Sequence, residues 1–543
     1  MLWGTVISLG FTSVAFLGFL ALTLLVYYLI PQRFRWAVLL AASYAFYLLN
    51  GVKQVVFLIF TTVVTYAAGR MMQRIRDGYR TNTENEGQPL TREEKQAQKK
   101  ELNGKIRTVK VAALLIDLGL LIALKYVPFL VRAFGRAFAS GDSAGPGFSL
   151  LVPLGLSYYT FQSVGYLIDV GKGKYGAEKH IGRFALFVSF FPSIIQGPIN
   201  NFGDLGFQLR EPHPLEYKNL KSGAQRILWG FFKKLVIADR IAPLVQSVFA
   251  LPGYDPGRSG LMFLIGVVSY GIQIYGDFSG GIDIALGAAE MFGIRLPENF
   301  QRPYFSQSLA EFWRRWHITL GAWMREYVFF PVILSRPVNR IAKVFRNRFG
   351  KKAGKLLPSV VTTFLVFFLI GIWHGISWQN IMFALYNAVI VAGGVALADV
   401  FRKLAARFRN YENGSGWKLF RIFRTLIIIN ASRVFAKAPS GSAAIVIWKR
   451  IFTGWERSAL AKTFGEIFSL GVCKRDALVL AIALLILFAV SLLQEKGVRI
   501  RERIDGWPAA ARWAFWLLTI AVILVFGVYG PAYDAKAFIY QGF

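Results

Sequence analysis

Long apolar runs, interrupted by short basic stretches, organise the whole chain. Residues 1–32 contain no charged side chain. The run over 5–30 can cross a bilayer as a slightly tilted helix at about 1.5 Å per residue. Arg33 and Arg35, the first cations, come just after it. Because Lys and Arg stay on the cytoplasmic side, this predicts an external N-terminus. No basic residue precedes the run and no small-residue cleavage site follows it, so it reads as a span and not as a signal peptide. Runs over 36–49 and 55–68 bring the chain back inside. Residues 70–110 hold 11 basic and 6 acidic residues with little apolar periodicity, which predicts a cytosolic basic loop, partly helical at most. Residues 111–130 return outward to a Gly/Ser-rich stretch at 138–149 that has no Lys or Arg.

Between 151 and 300 the pattern changes. Apolar stretches become studded with Gly, Pro, Ser and Gln, as in Phe190-Phe-Pro-Ser-Ile-Ile-Gln-Gly-Pro198. Broken backbone at membrane depth is tolerated only inside protein or beside water, so this part is expected to be the wall of a cavity. Further spans follow at 359–373, 380–398, 477–493 and 511–528. Eight cations and no acid fill 336–355. The pattern predicts an all-α, polytopic integral membrane protein with roughly ten to twelve transmembrane or re-entrant helices. The expected organisation is one membrane-embedded domain over 1–543: N-terminal helices at 1–150, a catalytic core at 151–390 and C-terminal helices at 391–543.

Composition excludes other classes. Of 543 residues, 55% are hydrophobic and 17% charged, too little solvated surface for a soluble globule or a disordered chain. Lys and Arg total 63 against 30 Asp and Glu, a net charge of +33. These cations lie between spans, where they suit anionic lipid headgroups and not nucleic acid. Cys473 is the sole cysteine, so no disulfide forms within the chain.

Four histidines are the sparse chemistry of this sequence. His180 and His213 lie in polar stretches and read as solvated loop residues. His317 and His374 each follow a tryptophan, in Phe312-Trp-Arg-Arg-Trp-His317 and Gly371-Ile-Trp-His-Gly375. An ionisable group beside a membrane segment is costly and is a functional candidate by default. Imidazole is also suited to acid–base work near neutral pH. A helix-capping histidine in an aromatic belt is the alternative.

Gly371 and Gly375, four apart, can admit a second helix against His374, as can Gly276 and Gly280 in Gly276-Asp-Phe-Ser-Gly280. Asp277 and Asp283 sit in the otherwise uncharged 261–289 stretch. They are expected to pair with Arg314, Arg315 or Arg325, either as a helix-to-helix ion pair or with a part in catalysis. The G-x-G-x-x-G match at Gly171–Gly176 falls in a Lys-rich loop with no acid about 20 residues on, which argues against a dinucleotide site. No Walker A, H-E-x-x-H, H-x-x-x-x-D or G-x-S-x-G pattern is present, and no cofactor or metal is expected.

Six ordered blocks carry a resemblance. They are Leu151-Val-Pro-Leu-Gly-Leu-Ser-Tyr-Tyr-Thr-Phe-Gln162 with Tyr166-Leu-Ile-Asp169; Phe191-Pro-Ser-Ile-Ile-Gln-Gly-Pro198; Tyr275-Gly-Asp-Phe-Ser-Gly280; Pro297-Glu-Asn-Phe300; Glu311-Phe-Trp-Arg-Arg-Trp-His317; and Gly371-Ile-Trp-His-Gly375 with Trp378. In this order the chain resembles the membrane-bound O-acyltransferase family, in its bacterial branch of alginate O-acetyltransferases and teichoic-acid D-alanyl transfer proteins. The resemblance implies a ring-like helical domain, thin in the middle, with a central tunnel. It aligns His374 with the family's catalytic histidine and His317 with its second characteristic histidine. Trp316, Trp373, Asp277, Ser279, Asp283, Asn299, Arg314, Trp378 and Gln162 become candidates to line the substrate path.

The implied reaction moves an acyl group, most simply acetyl, from a cytosolic thioester to hydroxyls of an extracellular polysaccharide or cell-wall polymer. Acetyl-CoA or an acyl carrier protein would be co-substrate. An extracytoplasmic SGNH-type or alginate-type acetyltransferase would be a partner, and the bacterial cytoplasmic membrane the location. Departures from the alginate-type pattern are Arg325-Glu-Tyr-Val-Phe-Phe-Pro-Val-Ile-Leu334, Gln379, Asn387 and the ending Phe538-Ile-Tyr-Gln-Gly-Phe543; they bear on the substrate. Within the family the alternative is D-alanylation of teichoic acid from a carrier protein. Outside it, the alternatives are a transporter or flippase, for which no internal symmetry is visible, and a structural partner of a synthase complex.

Overall fold

A computed structural model describes residues 9–85, 91–127, 131, 153–250, 259–405 and 414–530. The expected N-terminal orientation, the 138–149 stretch, Leu151 and Val152 of the first motif, and the ending at Phe538–Phe543 rest on residues outside that set.

The described chain is helical, with one isolated backbone bridge, Phe300 to Trp316. The helices used below are α1 (Val14–Leu29), α2 (Arg35–Asn50), α3 (Val55–Asn85), α4 (Arg92–Lys125), α5 (Leu156–Lys172), α6 (Ile181–Ser189), α7 (Tyr217–Phe231), α8 (Asp239–Ala250), α9 (Gly260–Met291), α10 (Leu309–Arg315), α11 (Ile318–Met324), α12 (Arg336–Trp373), α13 (Trp378–Ala396), α14 (Ser415–Lys437), α15 (Gly441–Thr453), α16 (Lys474–Glu495) and α17 (Ala509–Phe526). Among the described residues six helices are long and apolar enough to cross a membrane: α3, α9, α12, α13, α16 and α17. At 16 residues α1 is apolar but shorter. The chain is thus an all-α polytopic membrane protein.

Burial separates inner from outer helices. α5 buries 14 of its 17 residues, and 67% of the most apolar window of α9 is buried, against 6% for α17. Leu485 and Phe488 of α16, and Leu517 and Leu524 of α17, are exposed as lipid-facing side chains should be. The Gly/Ser/Gln-studded helices are therefore buried, while the purely apolar C-terminal helices expose most of their side chains.

The 70–110 segment departs from expectation. α3 continues to Asn85 and α4 begins at Arg92, so most of it is helix. Thr91 and Glu94 form a reciprocal capping box, and Glu101 pairs with Lys105 at 2.7 Å one turn on. Such local support holds a polar helix without an apolar face.

The fold has two compact units, one of residues 1–224, 285–297 and 535–537, the other of 225–284, 298–534 and 538–543. Unit one is packed by aromatic rings: Phe16, Phe46 and Phe191 sit 5.8–6.2 Å from one another in sequence order, and Tyr166 packs on Phe184 and Phe202. Unit two has a mostly aliphatic core that includes Val245, Val248, Leu244 and Ile447, with Phe263 packed among them.

Within unit two, α12 is two helices joined at Gly350, whose φ of 88° and ψ of 171° are not helical. Its second half packs on α13 with little separation. A Cβ on Gly371 would lie 2.8 Å from Ala384 Cα and 3.1 Å from the Asn380 carbonyl oxygen. The expected close approach beside His374 is thus made by Gly371. Gly375 instead takes a positive φ of 128° that ends the helix. Gly371→Val should destabilise the protein by about 1–3 kcal/mol through overpacking, seen as a lower thermal midpoint in detergent. Gly393→Ala in α13, with open space around its Cα, should not lower it.

Candidate functional site

A cavity of about 530 Å³ lies inside unit two, and both candidate histidines line it together with Trp316, Arg314, Arg325 and Asn380. Each histidine reaches it by a different piece of backbone chemistry.

His317 lies between α10 and α11 with φ 48° and ψ 53°, the left-handed region that non-glycine residues rarely occupy. A short two-stranded contact holds it there. Gln301 N donates to Arg315 O at 2.9 Å, and Ile318 N to Asn299 O at 3.0 Å. The Asn299 side chain completes the clamp: its Oδ1 accepts from Thr319 N and from Thr319 Oγ1, both at 3.0 Å, and stands 3.3 Å from His317 Nδ1. A backbone N–H can only donate, so the atom facing it must be the carboxamide oxygen. His317 Nδ1 therefore carries the proton, and Nε2 keeps a lone pair. Phe278 packs edge-on against the imidazole at 4.8 Å. Burial pushes the His317 ring down to about 3, so at neutral pH it is uncharged.

His374 caps the C-terminus of α12, with its N–H directed to Gly371 O at 3.2 Å. The following loop is tied down by Asn380, whose Nδ2 donates to Gly375 O at 3.1 Å and whose backbone N–H donates to Ser377 Oγ at 3.1 Å. Trp373 links the two histidines. Its ring lies 4.8 Å from that of His374 and 6.1 Å from that of His317.

The other candidates divide. Trp316 and Arg314 line the cavity, while Trp373 and Asn299 support its histidines. Asp277, Ser279 and Asp283 lie behind it in a buried ionic network. Lys234 reaches Asp277 at 2.6 Å and Asp239 at 2.7 Å. Lys233 reaches Asp283 at 2.6 Å and Ser279 at 2.9 Å. Arg226 bridges Asp283 and Glu298, and Glu298 immediately precedes Asn299.

The expected partners Arg314, Arg315 and Arg325 are thus corrected: the acids of α9 pair with cations at 226, 233 and 234. Those cations sit on α7 and on the π-helical turn Phe232–Ala238 after it. Close backbone approach explains why, since a Cβ on Gly280 would lie 2.9 Å from the Gly230 carbonyl oxygen. Trp378 is 45% exposed and does not line the cavity. Gln162 is buried on α5 in unit one.

Sequence reasoning missed several supports. Glu495, at the end of α16, receives Arg302 Nε at 2.7 Å and Arg315 Nη1 at 2.9 Å. It thereby holds both sides of the contact that carries His317; Arg302, like His317, has a positive φ. Arg433 lies over Trp316 at 6.0 Å and donates to Tyr304 OH at 2.8 Å. Lys233, Lys234 and Arg433 shared one visible signal: each is a cation inside an apolar helix-forming run.

A histidine-lined cavity among membrane-crossing helices defines a polytopic membrane enzyme. Residues 179–346 match the membrane-bound O-acyltransferase family. The chain is 33% identical over 419 residues to the probable alginate O-acetylase AlgI of Azotobacter vinelandii, covering 76% of this chain and 74% of that protein. It is 30% identical over 368 residues to a peptidoglycan O-acetyltransferase of Helicobacter pylori, covering 62% and 63%. With a teichoic acid D-alanyltransferase of Bacillus subtilis it shares 30% over 250 residues, covering 45% and 60%. The chain belongs to the membrane-bound O-acyltransferase family, and it is an O-acyltransferase.

Two outcomes follow from this geometry. Glu495→Gln removes a charged acceptor shared by two arginines, so it should cost about 1–2 kcal/mol of stability and lower acyl transfer, measured by thermal midpoint and turnover. The depressed His317 value makes protonation oppose the fold. Its contribution is complete above the unfolded value of about 6.5 and is lost as pH falls from there toward 3. Between pH 7.5 and 4.5 the wild-type thermal midpoint should therefore fall more than that of His317→Asn, a residue that also tolerates left-handed backbone.

Proposed function

We propose that the protein transfers an acyl group, most simply acetyl, from a cytosolic thioester to hydroxyls of an extracytoplasmic polysaccharide, with His374 as general base. The observation that carries this reading is that two imidazoles, spaced by Trp373, line one apolar cavity. His374 takes the proton of the attacking hydroxyl, whose oxygen forms a bond to the thioester carbonyl carbon. The tetrahedral intermediate then collapses, the C–S bond breaks, and the departing sulfur receives the proton back from His374. The carbonyl ends of α12 favour the positive charge that arises meanwhile on the ring. Neutral His317, with its lone pair at Nε2, orients the acceptor hydroxyl. Apolar walls limit the water that would hydrolyse the thioester.

Acetyl is preferred because the AlgI relative of Azotobacter vinelandii aligns over 74% of its length, against 60% for the D-alanyltransferase of Bacillus subtilis. The donor would be acetyl-CoA or an acyl carrier protein, with an extracytoplasmic acetyltransferase completing delivery. The site of action would be the bacterial cytoplasmic membrane, with the N-terminus outside. His374→Ala should lower polymer acylation at least about 100-fold in correctly inserted protein; unchanged acylation would remove the base assignment. Membranes supplied with acetyl-CoA or D-alanyl carrier protein should consume the acetyl donor.

A further inference from the structure

A second cavity lies on the surface of unit one. It is an open groove of about 430 Å³ between α2 and α6, lined by Ala37, Leu40, Ala41 and Tyr44 on one side and by Ile181 and Ala185 on the other. The two helices run side by side in the same direction. Trp36 meets His180 ring to ring at 5.0 Å, and further along Ser43 Oγ accepts from Phe191 N at 3.1 Å. From Ala37 to Tyr44 the groove follows α2 for about 10 Å. Small side chains on both walls leave the gap open, and Ile181 on its rim is exposed.

The chemistry changes at the end where both helices begin. Arg183 of α6 lies over the Trp36 ring at 5.8 Å. Its Nε is shut off from solvent without an acceptor, and the guanidinium makes no ion pair or side-chain hydrogen bond among the described residues. His180 Nδ1 accepts from Gly182 N at 3.1 Å. A backbone N–H can only donate, so the proton of the neutral ring sits on Nε2, and this side chain is exposed. Lys179 and Arg33 are also exposed and make no ion pair among the described residues. Glu178, the acid nearest to Arg183 in sequence, is buried and turned to Arg210 at 2.6 Å. The positive dipole ends of α2 and α6 face the same level.

An apolar trough that ends in cations without a counter-charge matches a molecule made of an acyl chain and an anionic head. Arg33 and Trp36 stand just beyond the first apolar run, where the distribution of cations places the cytoplasmic headgroups and where tryptophan settles. We infer that the groove binds one anionic phospholipid of the cytoplasmic leaflet, with an acyl chain between α2 and α6 and the phosphate gripped by Arg183 and flanked by His180 and Lys179. A guanidinium offers phosphate two parallel N–H donors. The bound lipid fastens α6, which at nine residues is too short to span a bilayer alone, to the first turns of α2. The site belongs to unit one and stands apart from the acyl-transfer reading.

The test is photocrosslinking of the full-length protein in phosphatidylcholine nanodiscs. Two probes are compared, a phosphatidylglycerol and a phosphatidylethanolamine, each with a photoreactive group on one acyl chain, and adducts are mapped by peptide mass spectrometry. The exposed faces of α16 and α17 give the reference for passing lipid. Phosphatidylglycerol should label residues 37–44 and 181–185 at least about fivefold above that reference, the worth of one cation at the headgroup level. Phosphatidylethanolamine, whose ammonium meets the same cations, should show less than half that gain. Arg183→Gln should return the phosphatidylglycerol signal to the reference and leave α16 and α17 unchanged, with Arg183→Lys keeping part of it. Ala41→Phe, which fills the groove, should remove labelling by both lipids. Added glycerol 3-phosphate, a head without chains, should displace neither.

Labelling of the groove no stronger than on α16 and α17, equal gains from the two lipids, or a full gain in Arg183→Gln would overturn the site. So would a dimer that Ala41→Phe splits, since the groove would then belong to a second copy of the chain. Should a variant fail to fold, the two probes on the wild type decide.

Discussion

One carboxamide oxygen organises the active centre. Asn299 Oδ1 accepts from both the backbone and the hydroxyl of Thr319 while facing His317 Nδ1. These contacts hold a residue in left-handed backbone, set its tautomer and present its other nitrogen in one arrangement. The strain of that backbone, of order 1–3 kcal/mol, is offset by the contacts on both sides of it. Glu495 draws Arg302 and Arg315 together from outside, and Phe278 closes on the ring from α9.

The charges behind the site obey the same economy. Arg226 and Lys233 face Asp283 and Glu298, and Lys234 faces Asp239 and Asp277. Burying either sign alone would be prohibitive in a membrane interior, and pairing makes it tolerable. These pairs fasten the turn after α7 to α9, which in turn supplies Phe278. These paired charges behind the site are therefore scaffolding, while the cavity itself is walled mostly by rings and aliphatic chains, with Arg314, Arg325 and Arg433 the charged groups on it.

Much of this was legible in the chain. The apolar runs gave α13, α16 and α17 to within about three residues and the end of α12 at Trp373, though not its basic start, and the Gly/Ser/Gln-rich composition marked α5 and α9 as interior. His374 stood out because it closes a long uncharged apolar run, and His317 because it too follows a tryptophan. Ion-pair partners were not legible, since any of several cations could satisfy Asp277 and Asp283 until backbone approach at Gly230 and Gly280 selected among them. The helical 70–110 segment was missed for a related reason: its support is capping and side-chain pairing, which leave no hydrophobic stripe to read.

The break at Gly350 has a mechanical consequence. Before it, Arg336, Arg340, Lys343, Arg346 and Arg348 alternate with exposed Ile341, Val344 and Phe349, a make-up suited to floating at the boundary between headgroups and acyl chains. After it, Lys351 to Trp373 rises about 34 Å, close to one bilayer thickness. A float joined to a rod of fixed length acts as a depth gauge. The immersion of His374 is then governed by where the basic segment rests, and a thinner or thicker bilayer would tilt the rod before it displaced the imidazole.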